Sequence, residues 1–268
     1  MKNADRFMKR GGFHGYPAPM SPRSVAFSLL LALAAAPLAS ANDAGMPIPE
    51  RAPAGGPDLL QRLHAQAPRL DAKVLGLALD AAGCAAESGR VAPARRLAVI
   101  DYSRPSTEPR LWVFDLREAR LLYAEHVAHG RRSGENFATA FSNQDSSHQT
   151  SLGLFATAET YVGGNGYSLR MDGLEPGIND RARDRAIVMH GAPYVDPVMA
   201  QRQGRLGRSL GCPAVRPAVA QQVIDTLKGG QLLFAYYPDQ QWLANSSFFR
   251  CRAGLAARAG AARPAGGR

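Results

Sequence analysis

Two stretches carry hydrophobic residues at helical spacing. Asp58 can cap a short helix over Leu59–Gln66. Asp71 can cap a second, in which Val74, Leu77, Ala78, Ala81, Ala82 and Ala85 share a face before Ser88-Gly89 ends it. The period then shortens. Leu97–Ile100 reads as a buried strand, and Arg110–Leu116 alternates with Trp112, Phe114 and Leu116 on one face. A turn at Arg117–Ala119 leads into a strand over Arg120–Ala128, giving a hairpin. Short strands follow at Leu154–Ala156 and Ser168–Met171, with another buried strand at Ala186–Met189 and a last one at Gln231–Tyr237. Two segments lack periodicity: the polar loop Gly130–Thr150 and the Gly-rich Ala192–Gly211, read as mobile. Arg216-Pro217 opens a helix with Val219, Val223 and Leu227 on one face, closed by Gly229-Gly230. The expected class is therefore α+β, mostly β, with a few peripheral helices; no alternating βα rhythm argues for a doubly wound sheet.

The N-terminus has a different pattern. Basic residues precede the apolar run Val25–Ala36, then Pro37 and Ala39-Ser40-Ala41, the order of a secretory signal cut after Ala41. The run is short of the roughly 20 residues that a membrane span needs, so export to the periplasm or cell wall is expected. The division is then residues 1–41 signal, 42–70 linker and short helix, 71–240 catalytic domain, and 241–268 a basic Ala/Gly/Arg-rich tail expected to be disordered. The formal charge of +10 gathers at the two ends, which argues against a nucleic-acid groove. A basic tail suits contact with an anionic wall polymer or membrane surface.

Export makes the 3 cysteines informative, because an odd number leaves at least one without an intrachain partner. Pairing Cys84 with Cys251 leaves Cys212 free; the alternative is that Cys84 is a buried thiol. Cys212 lies in Arg208-Ser209-Leu210-Gly211-Cys212-Pro213. Gly211 permits a sharp turn that aims successive N–H groups at one point, as an oxyanion hole requires. Pro213 has no N–H, so the donors must come from Leu210, Gly211 or Cys212. A thiol needs a base, and His190, at the end of the Ala186–Met189 strand and followed by Gly191, is the candidate. His129-Gly130 is a rival, although a structural histidine suits that place as well. Tyr167, Asn143 and Asp196 are polar loop residues able to line a cleft; His14 and His64 carry no expected role.

The runs Ala186-Ile187-Val188-Met189-His190-Gly191 and Arg208–Val215 together resemble the YkuD-type L,D-transpeptidase catalytic domain, closest to its murein L,D-transpeptidase subgroup. Phe141-Ser142-Asn143, Ser151–Phe155, Ser168–Glu175 and Asn179–Arg183 are similar to that subgroup, and the resemblance runs from about Ala72 to Asp239. It implies a β-sandwich or barrel and a two-step acyl transfer on a peptidoglycan stem peptide, without cofactor or metal. Cys212 would be the nucleophile and His190 the base, oriented by the Gly191 carbonyl. Ser209 and Gly211 would shape the loop, and Arg208 would meet a substrate carboxylate or solvent. Leu210 stands where many relatives carry His, and Ala214 where many carry Arg, with Arg216 two residues on.

Three rival readings exist. A zinc peptidase would draw on His126, His129, His148 and His190, but no H-E-x-x-H is present and residues three apart on a strand face opposite sides. A wall-binding module would leave Cys212 structural. A carboxypeptidase or amide hydrolase would use the same Cys/His pair with water as acceptor.

Overall fold

In the computed structural model, residues 57–249 and 251 are described. The expected signal segment, the start of the linker and the tail beyond residue 251 lie outside them, as does any contact of that tail with a wall or membrane. Among the described residues no helix is long and apolar enough to cross a membrane.

Helix α1 spans Pro57–Gln66 with Asp58 in its first turn, not before it. Helix α2 spans Ala72–Glu87, and the Asp71 carboxylate caps it by accepting the Lys73 N–H at 2.7 Å. Its buried face carries the expected Val74, Ala78, Ala81, Ala82 and Ala85.

Eight strands follow. Three come first: β1 (Arg96–Asp101), β2 (Leu111–Asp115) and β3 (Arg120–Glu125). Next are β4 (Gly153–Gly163), β5 (Gly166–Gly173) and β6 (Val188–Gly191). The last two are β7 (Ala214–Val215) and β8 (Leu232–Tyr236). They form one sheet in the order β3-β2-β1-β8-β4-β5-β6-β7. Pairs β1/β8 and β6/β7 are parallel. The two edge strands meet. Ala128, just past β3, donates its N–H to the Ala214 carbonyl on β7 at 2.8 Å. Arg216, after β7, makes a two-pronged contact with the Glu125 carboxylate at the end of β3, at 2.9 and 2.7 Å. The sheet thus curls into a nearly closed barrel, and this seam removes two edges that would otherwise be open to pairing.

Several expectations change. The β4/β5 hairpin is far longer than two short strands, because both run beyond their buried ends into solvent. All of β2 is buried, not one face of it. The Ala192–Gly211 segment contains a helix, α3 (Pro197–Gln203), capped by Asp196, whose carboxylate accepts from Val198 and Met199 N–H. Helix α4 (Pro217–Leu227) packs Ala220, Val223, Ile224 and Leu227 inward.

The tail is also ordered past residue 240. Helix α5 (Gln240–Asn245) buries Trp242, and Cys251 forms a disulfide with Cys84 on α2. Trp242 and Phe248 are isolated aromatics without a period in the sequence; their burial is a tertiary fact.

Candidate active site

Two small groups of buried side chains flank β6 and β7. Met189 and Val215 point into the main core. Ala214 belongs to a second cluster with Ala128, Ala192, Val195, Ala200 and Leu206, beneath α3. Alternation along a strand puts His190 on the Ala214 side, and His190 pairs with Ala214 across the parallel ladder. Cys212 lies two residues before Ala214, just outside β7, and meets the start of β6. The contacts agree: the Val188 N–H points at Cys212 Sγ at 3.5 Å, and the thiol points at the Ala186 carbonyl at 3.7 Å. Cys212 and His190 thus both lie at the β6/β7 junction, and no hydrogen bond between the two side chains occurs among the described residues. His190 lies within β6, not past its end, and Ala186 precedes the strand with φ of 52°.

His190 is 4% exposed. Its Nδ1 lies 3.0 Å from the Gly191 carbonyl, and a carbonyl only accepts, so Nδ1 carries the proton and the Nε2 lone pair is left for other work. Gly191 is required for packing: a Cβ there would lie 2.8 Å from that of Ala220 on α4. Burial holds the imidazole below its usual range, the Gly191 contact opposing weakly. Burial pushes the Cys212 thiol up, with the Val188 N–H and the Arg185 charge pulling the other way. The resting pair is therefore a neutral thiol and a neutral imidazole.

The nucleophile loop is braced from within. Gly211 has φ of 128°, and a Cβ there would fall 2.8 Å from the Gln149 carbonyl oxygen, so only glycine fits. Ser209 is buried; its hydroxyl donates to the Cys212 carbonyl at 2.7 Å and accepts the Gly211 N–H at 3.0 Å. Its hydroxyl is spent within the loop and holds the loop's shape. Gly211 also drops out as an oxyanion donor, its N–H being taken. The Leu210 amide donates to no acceptor among the described residues, whereas the Cys212 amide faces its own thiol. The Arg208 guanidinium, partly exposed, places Nη1 against the Gly134 carbonyl at 2.9 Å and Glu135 at 2.6 Å. Leu210 is exposed.

His129 is fully engaged. Its Nδ1 accepts from Arg110 at 2.7 Å and its Nε2 faces the Gly134 carbonyl at 3.2 Å. Burial, then the Arg110 charge, pushes it down to about 3. It is a structural residue. His126 rests on the Thr107 carbonyl and His148 on Arg131. Tyr167 bonds Asp225, and Asn143 bonds Asp180. Asp196 caps α3 and borders a cavity of about 250 Å³ edged also by Tyr194, Met199, Gln203 and Arg205, which neither Cys212 nor His190 lines. Tyr194 and Arg185 both lie close enough to Cys212 to respond to a thiolate there, and neither stood out in the sequence. Arg185 sits in the Arg-rich run Arg181–Arg185 and Tyr194 in a segment read as mobile, so neither had a periodic or motif signal.

A family model for the L,D-transpeptidase catalytic domain matches residues 66–236. The chain belongs to this family. Among solved structures, an L,D-transpeptidase from Mycobacterium smegmatis is similar at 15% identity and a TM-score of 0.34, over 54% of this chain and 59% of that one. One from Stackebrandtia nassauensis is similar at 14% identity and 0.33, over 66% and 76%. The chain thus spans about three fifths of the mycobacterial protein's length. No curated protein matches the chain. The L,D-transpeptidase match ends at residue 236, so α5 and the Cys251 half of the disulfide lie beyond it.

Proposed function

We propose that this chain is an exported peptidoglycan L,D-transpeptidase, with Cys212 as nucleophile and His190 as base. The observation that supports the reading is the β6/β7 junction, where the one free cysteine of the described residues sets its thiol against Val188 and Ala186, beside a strand that carries a histidine whose Nδ1 is fixed. The family match supports the substrate class, a stem peptide of the wall.

The chemistry follows from two neutral partners. As Cys212 Sγ bonds to the carbonyl carbon at the L,D bond, its proton passes to His190 Nε2 and the carbonyl electron pair moves onto oxygen. The unused Leu210 amide, and the Cys212 amide once it leaves its own sulfur, are the donors available to that oxyanion. Collapse restores the carbonyl and breaks the C–N bond, and His190 gives its proton to the departing amine of the terminal D-residue. An acceptor amine then attacks the thioester carbon and loses a proton to His190, and the sulfur leaves and is reprotonated. Water in place of the amine turns the same route into a carboxypeptidase.

The deciding experiment is mass spectrometry of the mature protein with tetrapeptide-stem muropeptides, with Cys212→Ala in parallel. Cross-linked dimers made only by the wild type are expected. Tripeptides alone would assign hydrolysis, and equal turnover by Cys212→Ala would end the proposal.

A further inference from the structure

The segment just before β6 holds a cation that the mechanism above does not use. Arg185 spreads its guanidinium over the 142–151 loop. Nη1 donates to the Ser142 carbonyl at 2.6 Å and to Ser151 Oγ at 2.5 Å; Nη2 donates to Ser147 Oγ at 3.1 Å and the Gln149 carbonyl at 2.8 Å. All four acceptors are neutral, and no ion pair of the described residues includes Arg185. That loop in turn backs the nucleophile loop. The Gln149 carbonyl fills the space where a Gly211 Cβ would stand, and Thr150 Oγ1 donates to the Gly211 carbonyl at 3.3 Å. The next residue, Ala186, supplies the carbonyl that meets the Cys212 thiol.

We propose that Arg185 is a positioning residue of this site: its fork ties the 142–151 loop to the back of the nucleophile loop and fixes a positive charge beside Cys212. The inference rests on Cys212 as nucleophile and adds a role for a residue that contacts neither substrate nor sulfur. The other titratable groups around Cys212 are Tyr102 after β1, His190 on β6 and Tyr194 before α3. Burial keeps both tyrosines protonated and His190 neutral, so Arg185 supplies the fixed charge there. Arg185 itself is faced at longer range by Asp145 and Arg181. A guanidinium partly shielded from water and lacking a carboxylate partner acts on a nearby anion with less screening than a surface charge would.

The test uses the full chain under non-reducing conditions, where Cys84 and Cys251 are bonded and iodoacetamide finds Cys212. The alkylation rate is followed against pH for wild type, Arg185→Gln and Arg185→Lys, with thermal unfolding of each. Arg185→Gln is expected to move the midpoint upward and slow alkylation at neutral pH by about tenfold, the change in thiolate fraction carried by one pKa unit. Arg185→Lys keeps the charge but loses the fork, so its midpoint should stay at the wild-type value while it unfolds earlier. A folded Arg185→Gln with an unchanged midpoint would overturn the proposal. If Arg185→Gln does not fold, Arg185→Lys decides: a shifted midpoint overturns it. Failure of both to fold also overturns it, since a purely structural role then suffices. Alkylation needs no stem peptide, so this outcome is separate from the muropeptide result.

Discussion

At the scale of single residues, Cys212 and His190 rest as neutral groups because both are shielded from water. Thiol reactivity should therefore rise only above the ordinary cysteine range, and a plot of iodoacetamide rate against pH checks this. His190→Ala should abolish muropeptide turnover while leaving the unfolding temperature within a few degrees of wild type, because its ring makes a single local bond. His129 behaves oppositely. Removing it leaves Arg110 with an unmet buried donor, which costs about 1–3 kcal/mol; His129→Ala should lower denaturant stability by that amount. Its protonation has a definite sign. The folded ring titrates at about 3 against 6.5 for an unperturbed one, so the unfolded chain binds the extra proton first. This contribution is complete above the unfolded value and is lost as pH falls from there towards the folded one. Melting temperature should drop through that window, and less steeply in His129→Gln.

Among elements, the C-terminal α5 is held by a buried polar hub. Glu175 accepts the Trp242 indole N–H at 3.0 Å with one carboxylate oxygen and the Leu154 N–H at 2.9 Å with the other. Asn179 completes the hub, donating to the Leu152 and Leu154 carbonyls at 2.9 and 3.0 Å. The Cys84–Cys251 bond then clips the segment to α2 across 167 residues. A loop of that length restricts the unfolded chain strongly, and removing such a bond costs on the order of 2–5 kcal/mol. The double variant Cys84→Ser/Cys251→Ser, which leaves Cys212 as the one thiol, should lower unfolding stability by that order in denaturant titration, with the Cys212 alkylation profile unmoved, since α5 lies outside the catalytic face.

For the whole molecule, the seam between β3 and β7 joins stability to function. The same short stretch that closes the barrel, Ala128 to Ala214 and Glu125 to Arg216, is continuous with the nucleophile loop, because Ser209 exchanges backbone bonds with His129 and Arg131 at 2.9 and 2.8 Å. Arg216 is thus engaged in closing the barrel and does not replace the arginine that many relatives carry two residues after the cysteine. Glu125→Gln weakens a partly buried charged contact of about 1.5–3 kcal/mol. It should lower both thermal stability and muropeptide turnover, measured in parallel, because loosening the seam loosens the loop.

Much of this was written in local patterns. Period and caps gave α2, the β2/β3 hairpin, β8 and α4, and a glycine-cysteine-proline turn with a histidine before a glycine marked Cys212, His190 and Gly191. Such features depend on neighbours in the chain, so a single sequence displays them. Only the folded chain decided the rest. Ser209 and Arg208 turned inward, His129 was tied to Arg110, Arg185 came up behind Gly211, and the Cys84–Cys251 pairing was chosen over a lone buried thiol. Each of these depends on a partner distant in the sequence, brought close by strand register and barrel closure; no spacing along the chain encodes which distant groups a buried side chain will meet.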